Sequence, residues 1–452
     1  MRVCVIGAGA AGLGCAYHLN KLSIDHVVYE QSDSVGGTWV YSEETDVHSS
    51  MYRDLRTNLP IEIMGYPGFP FPKRDKSFAH HSVVLDYFRN FYEENVAPSG
   101  NVSFNSKVTS VRREDSTWAV TCVVDGREKK TEFFTHVLVC NGKYSVPRVP
   151  EIDGVETFSG TIEHSHNYRQ ADAYRGKRVL IVGSGYSGID IALEISIVAD
   201  ACFLSKRSRD PLRLPSRIVL KDNILRIRGS EVIFEGDSIE IDCIIYCTGY
   251  MISVPFLNDL VTVKEGYEVC DLYRQCLSIA QPTLALIGLP SFVIPCLVFD
   301  FQIRWVLAVF TGKWPLPSVD EMRKQCDENM TKRILCGRGD LKFTHNLRGI
   351  HLWNYLDTFA SDGLGIVDPA IRRAYEATAA ARTRSIENYR DELLLDIGAS
   401  TISTQSFRPR EETTLSESMG VECRMLFNEL NKSKESNRRR AVLSRATLDR
   451  QS

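Results

Sequence analysis

One turn occurs twice in this chain, and a turn of that kind can be built in very few ways. Residues 3–12 read VCVIGAGAAG and residues 179–188 read VLIVGSGYSG, 176 positions apart. Each is an apolar, strand-like run that breaks into glycines at the spacing GxGxxG. The first glycine (Gly7, Gly183) permits a tight reversal, and the second (Gly9, Gly185) lets backbone approach a pyrophosphate. The third (Gly12, Gly188) lets the following helix pack on the strand. A helix that starts there offers free N–H groups and partial positive charge to phosphate oxygens. A lone GxGxxG says little, but each copy follows an apolar strand and opens a helix, as a dinucleotide-binding βαβ unit requires.

The two copies differ at the tip of their second strand. After the first turn the chain reaches Glu30, eighteen residues beyond Gly12. A carboxylate at that point accepts hydrogen bonds from both hydroxyls of an unmodified adenosine ribose, as in FAD or NAD. After the second turn the chain reads CFLSKRS, with Ser205, Lys206 and Arg207 where an acid would stand. Cations there fit a ribose carrying a 2′-phosphate, hence NADPH. Charge-assisted contacts of this kind contribute roughly 1.5–3 kcal/mol, a preference of about 10- to 100-fold over NADH. Two unlike dinucleotide sites in one chain point to a flavoprotein that takes electrons from NADPH.

The expected fold is α/β, with two Rossmann-like dinucleotide-binding domains, the NADPH domain inserted into the FAD domain. The expected segments are 1–153 and 251–398 for FAD, 154–250 for NADPH, and a largely disordered polar tail over 399–452. A length of 452 residues suits two domains with appendages. A strand is expected at 27–30, a helix at 82–94, and an ordered but irregular stretch at 52–82. A small antiparallel sheet is expected within 102–142, and a long helical stretch within 368–396. The most apolar stretch, 291–310, carries Asp300, Gln302 and Arg304, and its uninterrupted apolar run (292–299) is too short to span hydrocarbon. It is expected to be buried core.

A formal charge of −3 leaves no electrostatic footprint for nucleic acid. The first glycine strand begins almost at Met1, so no secretory signal is expected. Thirteen cysteines without a CxxC pair fit reduced thiols in a cytoplasmic protein. The disulfide route for flavin electrons needs a cysteine pair beside the ring. No cysteine occurs between Cys15 and Cys122, and Cys243 and Cys247 fall in an apolar strand.

The stretch FSGTIEHSHNY (158–168) fits the pattern FxGxxxHxxxY/F and resembles the flavin-containing monooxygenases. GAGAAG, GGTW, TNLP, FPFP, GSGYSG, SKR, CTGY and LIGLP follow in that family's order over roughly residues 1 to 360. The resemblance implies an enzyme in which NADPH reduces FAD and dioxygen forms a C4a-hydroperoxyflavin. A small lipophilic amine or sulfur compound then takes the distal oxygen. Such chemistry belongs to the cofactor, while the protein supplies position, polarity and water exclusion.

The resemblance makes Asn58, in RTNLP, the catalytic candidate, because its amide can both donate and accept near a flavin or nicotinamide. Many relatives carry a cation where this chain has Ile61. The resemblance places Gly37 and Trp39 along the flavin, His164 and Tyr168 at the domain junction orienting NADPH, and Gln302 near the ring. Baeyer–Villiger monooxygenases are similar but usually have Trp where Tyr168 stands. That chemistry, an NADPH oxidase releasing hydrogen peroxide, and a mainly regulatory flavoprotein stay open beside N- or S-oxygenation. A homodimer and surface contact with a bilayer also stay open. No metal site and no transmembrane segment are expected.

Overall fold

In the computed structural model, which describes residues 1–207, 211–336 and 340–392, the two glycine turns belong to two different sheets. The first turn joins strand β1 (Arg2–Ile6) to helix α1 (Ala10–Lys21), which leads back to strand β2 (Asp25–Tyr29). Parallel to β1 and β2 run Val102–Ser103, His136–Val139 and Leu284–Leu286. The hairpin Leu272–Tyr273 and Leu277–Ser278 closes one edge of this seven-stranded sheet antiparallel. β1 lies in the interior of the sheet with apolar layers on both faces, which is why it reads as a continuous apolar run and not as an alternating one. Helix α2 (His81–Asn95), within one residue of the expected bounds, buries Val84, Phe88 and Phe91 against α1.

The second turn lies in a separate five-stranded sheet, all parallel. Its order is Ile218–Lys221, Ala201–Ser205, Arg178–Val182, Cys243–Tyr246, Thr161–His164. Helix α3 (Tyr186–Ile195) follows the turn. From Arg178–Val182 the chain first adds strands on one side and then returns to the other. The glycine turn therefore opens at the switch point of the sheet, beyond the carboxyl ends of the strands, where open α/β sheets hold ligands. Every strand of this sheet falls between residues 161 and 246, and the strands of the first sheet come from either side of it. Where the chain enters and leaves, Val146–Pro147 pairs antiparallel with Tyr250–Met251.

The expected antiparallel sheet is present as three strands, Ser106–Glu114, Thr117–Val124 and Glu128–Phe134. The apolar stretch near 300 forms helix α4 (Pro295–Phe310), buried on most sides. Its charge is tolerated because Asp300 meets His18 on one oxygen and Arg304 on the other, both at 2.7 Å. No helix among the described residues is long and apolar enough to cross a membrane.

Two sequence expectations shift. Strand β2 ends at Tyr29, so Glu30 stands just beyond the strand tip. The long helix ends at Arg384, and a separate short turn spans Tyr389–Glu392. The break lets Tyr389 enter the core and Arg390 reach a buried carboxylate on α3, contacts a continuous helix would forgo. The polar tail expected over 399–452 lies outside the described residues.

Each turn owes its glycines to backbone contacts. Gly7 and Gly183 sit at φ +103° and +112°, a region closed to most side chains. A Cβ on Gly12 would fall 1.7 Å from the Gly7 carbonyl oxygen, and one on Gly188 would fall 1.8 Å from that of Gly183. Those atoms are backbone and cannot rotate away. Gly12→Ala is therefore expected to destabilise the fold by at least about 3 kcal/mol. Urea unfolding of the purified variant measures this; a shift below about 1 kcal/mol would show that the helix can lift off its strand.

Candidate active site

The first crevice is floored by backbone. The N–H of Gly36 donates to the Ala8 carbonyl at 3.2 Å and docks the 35–39 segment on the first turn. Gly9 and Gly37 then face each other: a Cβ on Gly9 would lie 3.5 Å from the Gly37 Cα, and one on Gly37 would lie 3.0 Å from the Gly9 Cα. Side chains on both would fill the space between the two segments. Trp39 closes the short turn Gly37–Trp39, half-buried against the core.

Glu30 is buried, and its carboxylate is partly engaged by the protein. Oε2 accepts from the Ala8 N–H at 2.7 Å, while Oε1 accepts from the N–H and hydroxyl of Ser32 at 2.9 and 2.8 Å. An ionised carboxylate has about four acceptor positions. Three are occupied here, which orients the group and leaves room for one further donor. A single ribose hydroxyl fits this geometry better than the pair expected from sequence.

The second crevice is more open. A Cβ on Gly185 would meet nothing within 4 Å, so the space over this turn is clear for a ligand. Ser205 is buried with its hydroxyl donated to the Asp222 carbonyl at 2.7 Å, and it shapes the strand tip from within. Lys206 is half-exposed, and Arg207 is exposed. The two cations thus stand at the strand tip opposite α3, the counterpart of the position that Glu30 holds in the first unit.

Between the units lies the segment carrying Asn58. The chain on either side is pinned: Thr57 N–H donates to Ala79 O and Ile61 N–H donates to Ser77 O, both at 2.8 Å. Asn58 is exposed and has no hydrogen-bond partner among the described residues. Ile61 is buried in the core of the first unit, where a charged side chain would be costly.

His164 is buried. Its Nδ1 accepts from the His166 N–H at 3.0 Å, so the proton sits on Nε2 and is donated to the Gly249 carbonyl at 3.0 Å. Burial lowers its pKa to about 4, so the ring is neutral at ordinary pH. Tyr168 has no exposed surface and donates its hydroxyl to Glu194 of α3 at 2.7 Å. Burial raises Glu194 to about 7. His164 and Tyr168 therefore brace the second sheet and its helix from inside the protein. Gln302 is also fully buried: Oε1 accepts from Gly288 N–H at 3.0 Å, and Nε2 donates to the Tyr355 hydroxyl at 2.8 Å. Both ends of its amide are thus satisfied by protein, and its contribution is to hold the turn at Gly288.

Three groups here carry no local sequence signal. Arg390 donates to Asp190 of α3 through both terminal nitrogens, at 3.1 and 2.6 Å, and through Nε to the Thr57 carbonyl at 2.9 Å. It fastens the neighbour of Asn58 to the helix that follows the second glycine turn. Lys143 donates to the carbonyls of Leu289 and Pro290 and to the Ser291 hydroxyl; burial pulls its pKa down to about 7. The Cys15 and Cys140 sulfurs lie 3.5 Å apart beneath the first turn, a pairing hidden by a sequence separation of 125. Burial raises the Cys15 thiol well above its ordinary pKa and keeps it protonated.

The glycine turns of two Rossmann-type units thus open on separate crevices, the architecture of a protein with two dinucleotide-type sites. The flavin-binding monooxygenase-like family matches the chain over residues 1–213 and 211–361. Senecionine N-oxygenase of Tyria jacobaeae is 30% identical over 433 residues, covering 91% of this chain and 93% of that protein. Flavin-containing monooxygenase FMO GS-OX5 of Arabidopsis thaliana is 35% identical over 380 residues, covering 77% and 82%. Among solved structures, S-allyl-L-cysteine S-oxygenase from Allium sativum superimposes with a TM-score of 0.81 at 29% identity, covering 95% of this chain and 98% of that one. The chain belongs to the flavin-binding monooxygenase-like family and is a flavin-dependent monooxygenase.

The Arg390–Asp190 pair is well shielded, with side chains 11% and 14% exposed. Arg390→Ala would strand a buried carboxylate and is expected to cost about 3–5 kcal/mol. Adding Asp190→Asn removes the stranded charge and should restore a substantial part of that loss. Thermal unfolding of the three variants checks it, and a double variant no more stable than Arg390→Ala would contradict the ion-pair account.

Proposed function

We propose that this monooxygenase holds FAD in the first crevice and NADPH in the second, and oxygenates nucleophilic nitrogen or sulfur in small lipophilic molecules. NADPH supplies two electrons; one atom of dioxygen enters the substrate, and the other leaves as water. The observation that carries the cofactor assignment is the opposite charge at two equivalent strand tips, Glu30 against Lys206 and Arg207. The nitrogen and sulfur preference rests on the relatives, which are N- and S-oxygenases over nearly the whole chain.

The bound flavin would supply the redox chemistry that activates dioxygen. The protein's residues bind, orient and exclude water. Gly7, Gly9, Gly12 and Gly37 give the FAD pyrophosphate a floor without side chains, Glu30 takes the adenosine ribose, and Trp39 packs beside the ring. Gly183, Gly185 and Gly188 open α3 to the NADPH phosphates, with Arg207 and Lys206 on the 2′-phosphate. We assign residues 154–250 to NADPH and the flanking segments to FAD. His164, Tyr168 and Gln302 set backbone positions and touch neither reacting atom. Asn58 is the one site candidate whose side-chain amide stands exposed and unpartnered on a pinned segment, which suits a donor–acceptor for the reacting oxygen or the nicotinamide amide.

Arg207→Ala is expected to raise the KM for NADPH about 10- to 100-fold, by loss of a charge-assisted contact, and to leave that for NADH near the wild-type value. Steady-state kinetics with both cofactors decides this, since equal effects would remove the phosphate assignment. Asn58→Leu is expected to keep its flavin and continue to oxidise NADPH, with hydrogen peroxide replacing sulfoxide when an aryl sulfide is offered. A sulfoxide yield equal to wild type would reject a catalytic role for Asn58.

A further inference from the structure

A cavity about 390 Å³ in volume lies between the edge strand Leu272–Tyr273, the helix Val319–Cys336, residues 344–347 and the helix Ile350–Ser361. None of the residues assigned to the two crevices lines it.

Its wall contains a donor whose orientation can be deduced. The Val269 N–H donates to Nε2 of His345 at 3.0 Å, so the neutral ring carries its proton on Nδ1. Burial lowers the pKa of this histidine to about 3, which keeps it neutral. Nδ1–H then donates to Oε1 of Gln275 at 3.1 Å. With Oε1 fixed, Nε2 of Gln275 is turned away from His345. It is buried, and it has no acceptor among the described residues; the side chain as a whole is only 6% exposed. An amide donor left in this way costs about 1–3 kcal/mol unless something fills the space beside it.

The same wall holds a cation without a counter-ion. Arg274 is bound to Asp362, Arg323 lies 3.6 Å from Asp271, and Glu268 lies 3.8 Å from Lys264. Arg333 forms no ion pair among the described residues, and its Nε donates to the Thr344 carbonyl at 2.6 Å. Partial burial pulls its pKa down to about 10. A half-buried guanidinium without a carboxylate is a ready partner for an anion. The remaining wall carries one further residue of each charge, Lys332 and Asp327, and is otherwise partly apolar, from Leu272, Met330 and Leu347.

We propose that this cavity is a binding site for a small carboxylate with an apolar body. Gln275 Nε2 and Arg333 receive the carboxylate, and Leu272, Met330 and Leu347 receive the hydrocarbon part. The site is also connected to the flavin-bearing unit. The Tyr355 hydroxyl lines the cavity, donates to the Arg274 carbonyl at 2.7 Å, and accepts from Gln302, which in turn holds Gly288.

The test is calorimetric titration of the full-length, flavin-loaded protein with sodium benzoate, in saturating NADP⁺ so that the second crevice is filled. Benzamide serves as the neutral isostere. Saturable binding of benzoate is expected, with affinity for benzamide at least tenfold weaker. Gln275→Glu keeps the acceptor for His345 but opposes an anion, and Arg333→Met removes the cation. Each is expected to weaken benzoate at least tenfold while keeping flavin absorbance and melting temperature near wild type. Absence of saturable benzoate binding to the wild-type protein overturns the proposal whether or not the variants fold. So does equal binding of benzamide, or undiminished affinity in both variants.

Discussion

The fold depends on two helices that begin almost in contact with the turns preceding them. At Gly12 and at Gly188 the helix backbone approaches the carbonyl of the first glycine so closely that a single added carbon would overlap it. That closeness sets where each helix points, and its first N–H groups then face the open end of the sheet. An anion there meets oriented donors and the positive end of the helix without any side chain being required. The phosphate-binding geometry is thus a consequence of packing, which explains why the same construction serves two different cofactors.

What distinguishes the copies is charge placed one step further along the chain. Glu30 is held by Ala8 and Ser32, so its position is set by the first turn itself. The other tip has an internal brace, Ser205, that keeps the strand end in place while Lys206 and Arg207 stand outside it. In the proposed reading, selection of a phosphorylated ribose and binding of a pyrophosphate fall to different atoms, so either would be separable from the other.

The parts legible in the sequence were those with a short-range cause. Glycine spacing, strand runs and the charges at strand tips are set within about thirty residues, and the structure places them where that reading expected. Long-range partners were not legible. Gln302 looked available for a ring because its polarity stood out in an apolar helix; only the fold shows that Gly288 and Tyr355 consume both ends of its amide. Tyr168 likewise belongs to a conspicuous motif, yet its hydroxyl is spent on Glu194. The break inside the helical stretch expected within 368–396 was not legible for the same reason. Local propensity favoured continuation, while Tyr389 and Arg390 had tertiary partners over 190 residues away in sequence.

Arg390 shows what such distant contacts add to a site. The segment carrying Asn58 is tied to both units. Backbone bonds from Thr57 and Ile61 reach residues 77 and 79 of the first unit, while Tyr52 packs in the core of the second and the Arg53 N–H donates to the Arg169 carbonyl at 2.9 Å. Arg390 adds a constraint nearer to Asn58, because one guanidinium spans a carbonyl of that segment and a carboxylate of α3. A planar fork holding both partners limits rotation as well as distance, which a lysine ammonium on a flexible stem would not. The cationic strand tip and the Asn58 amide are contributed by different units, and the hold between them includes a residue outside both glycine motifs and remote from each in sequence.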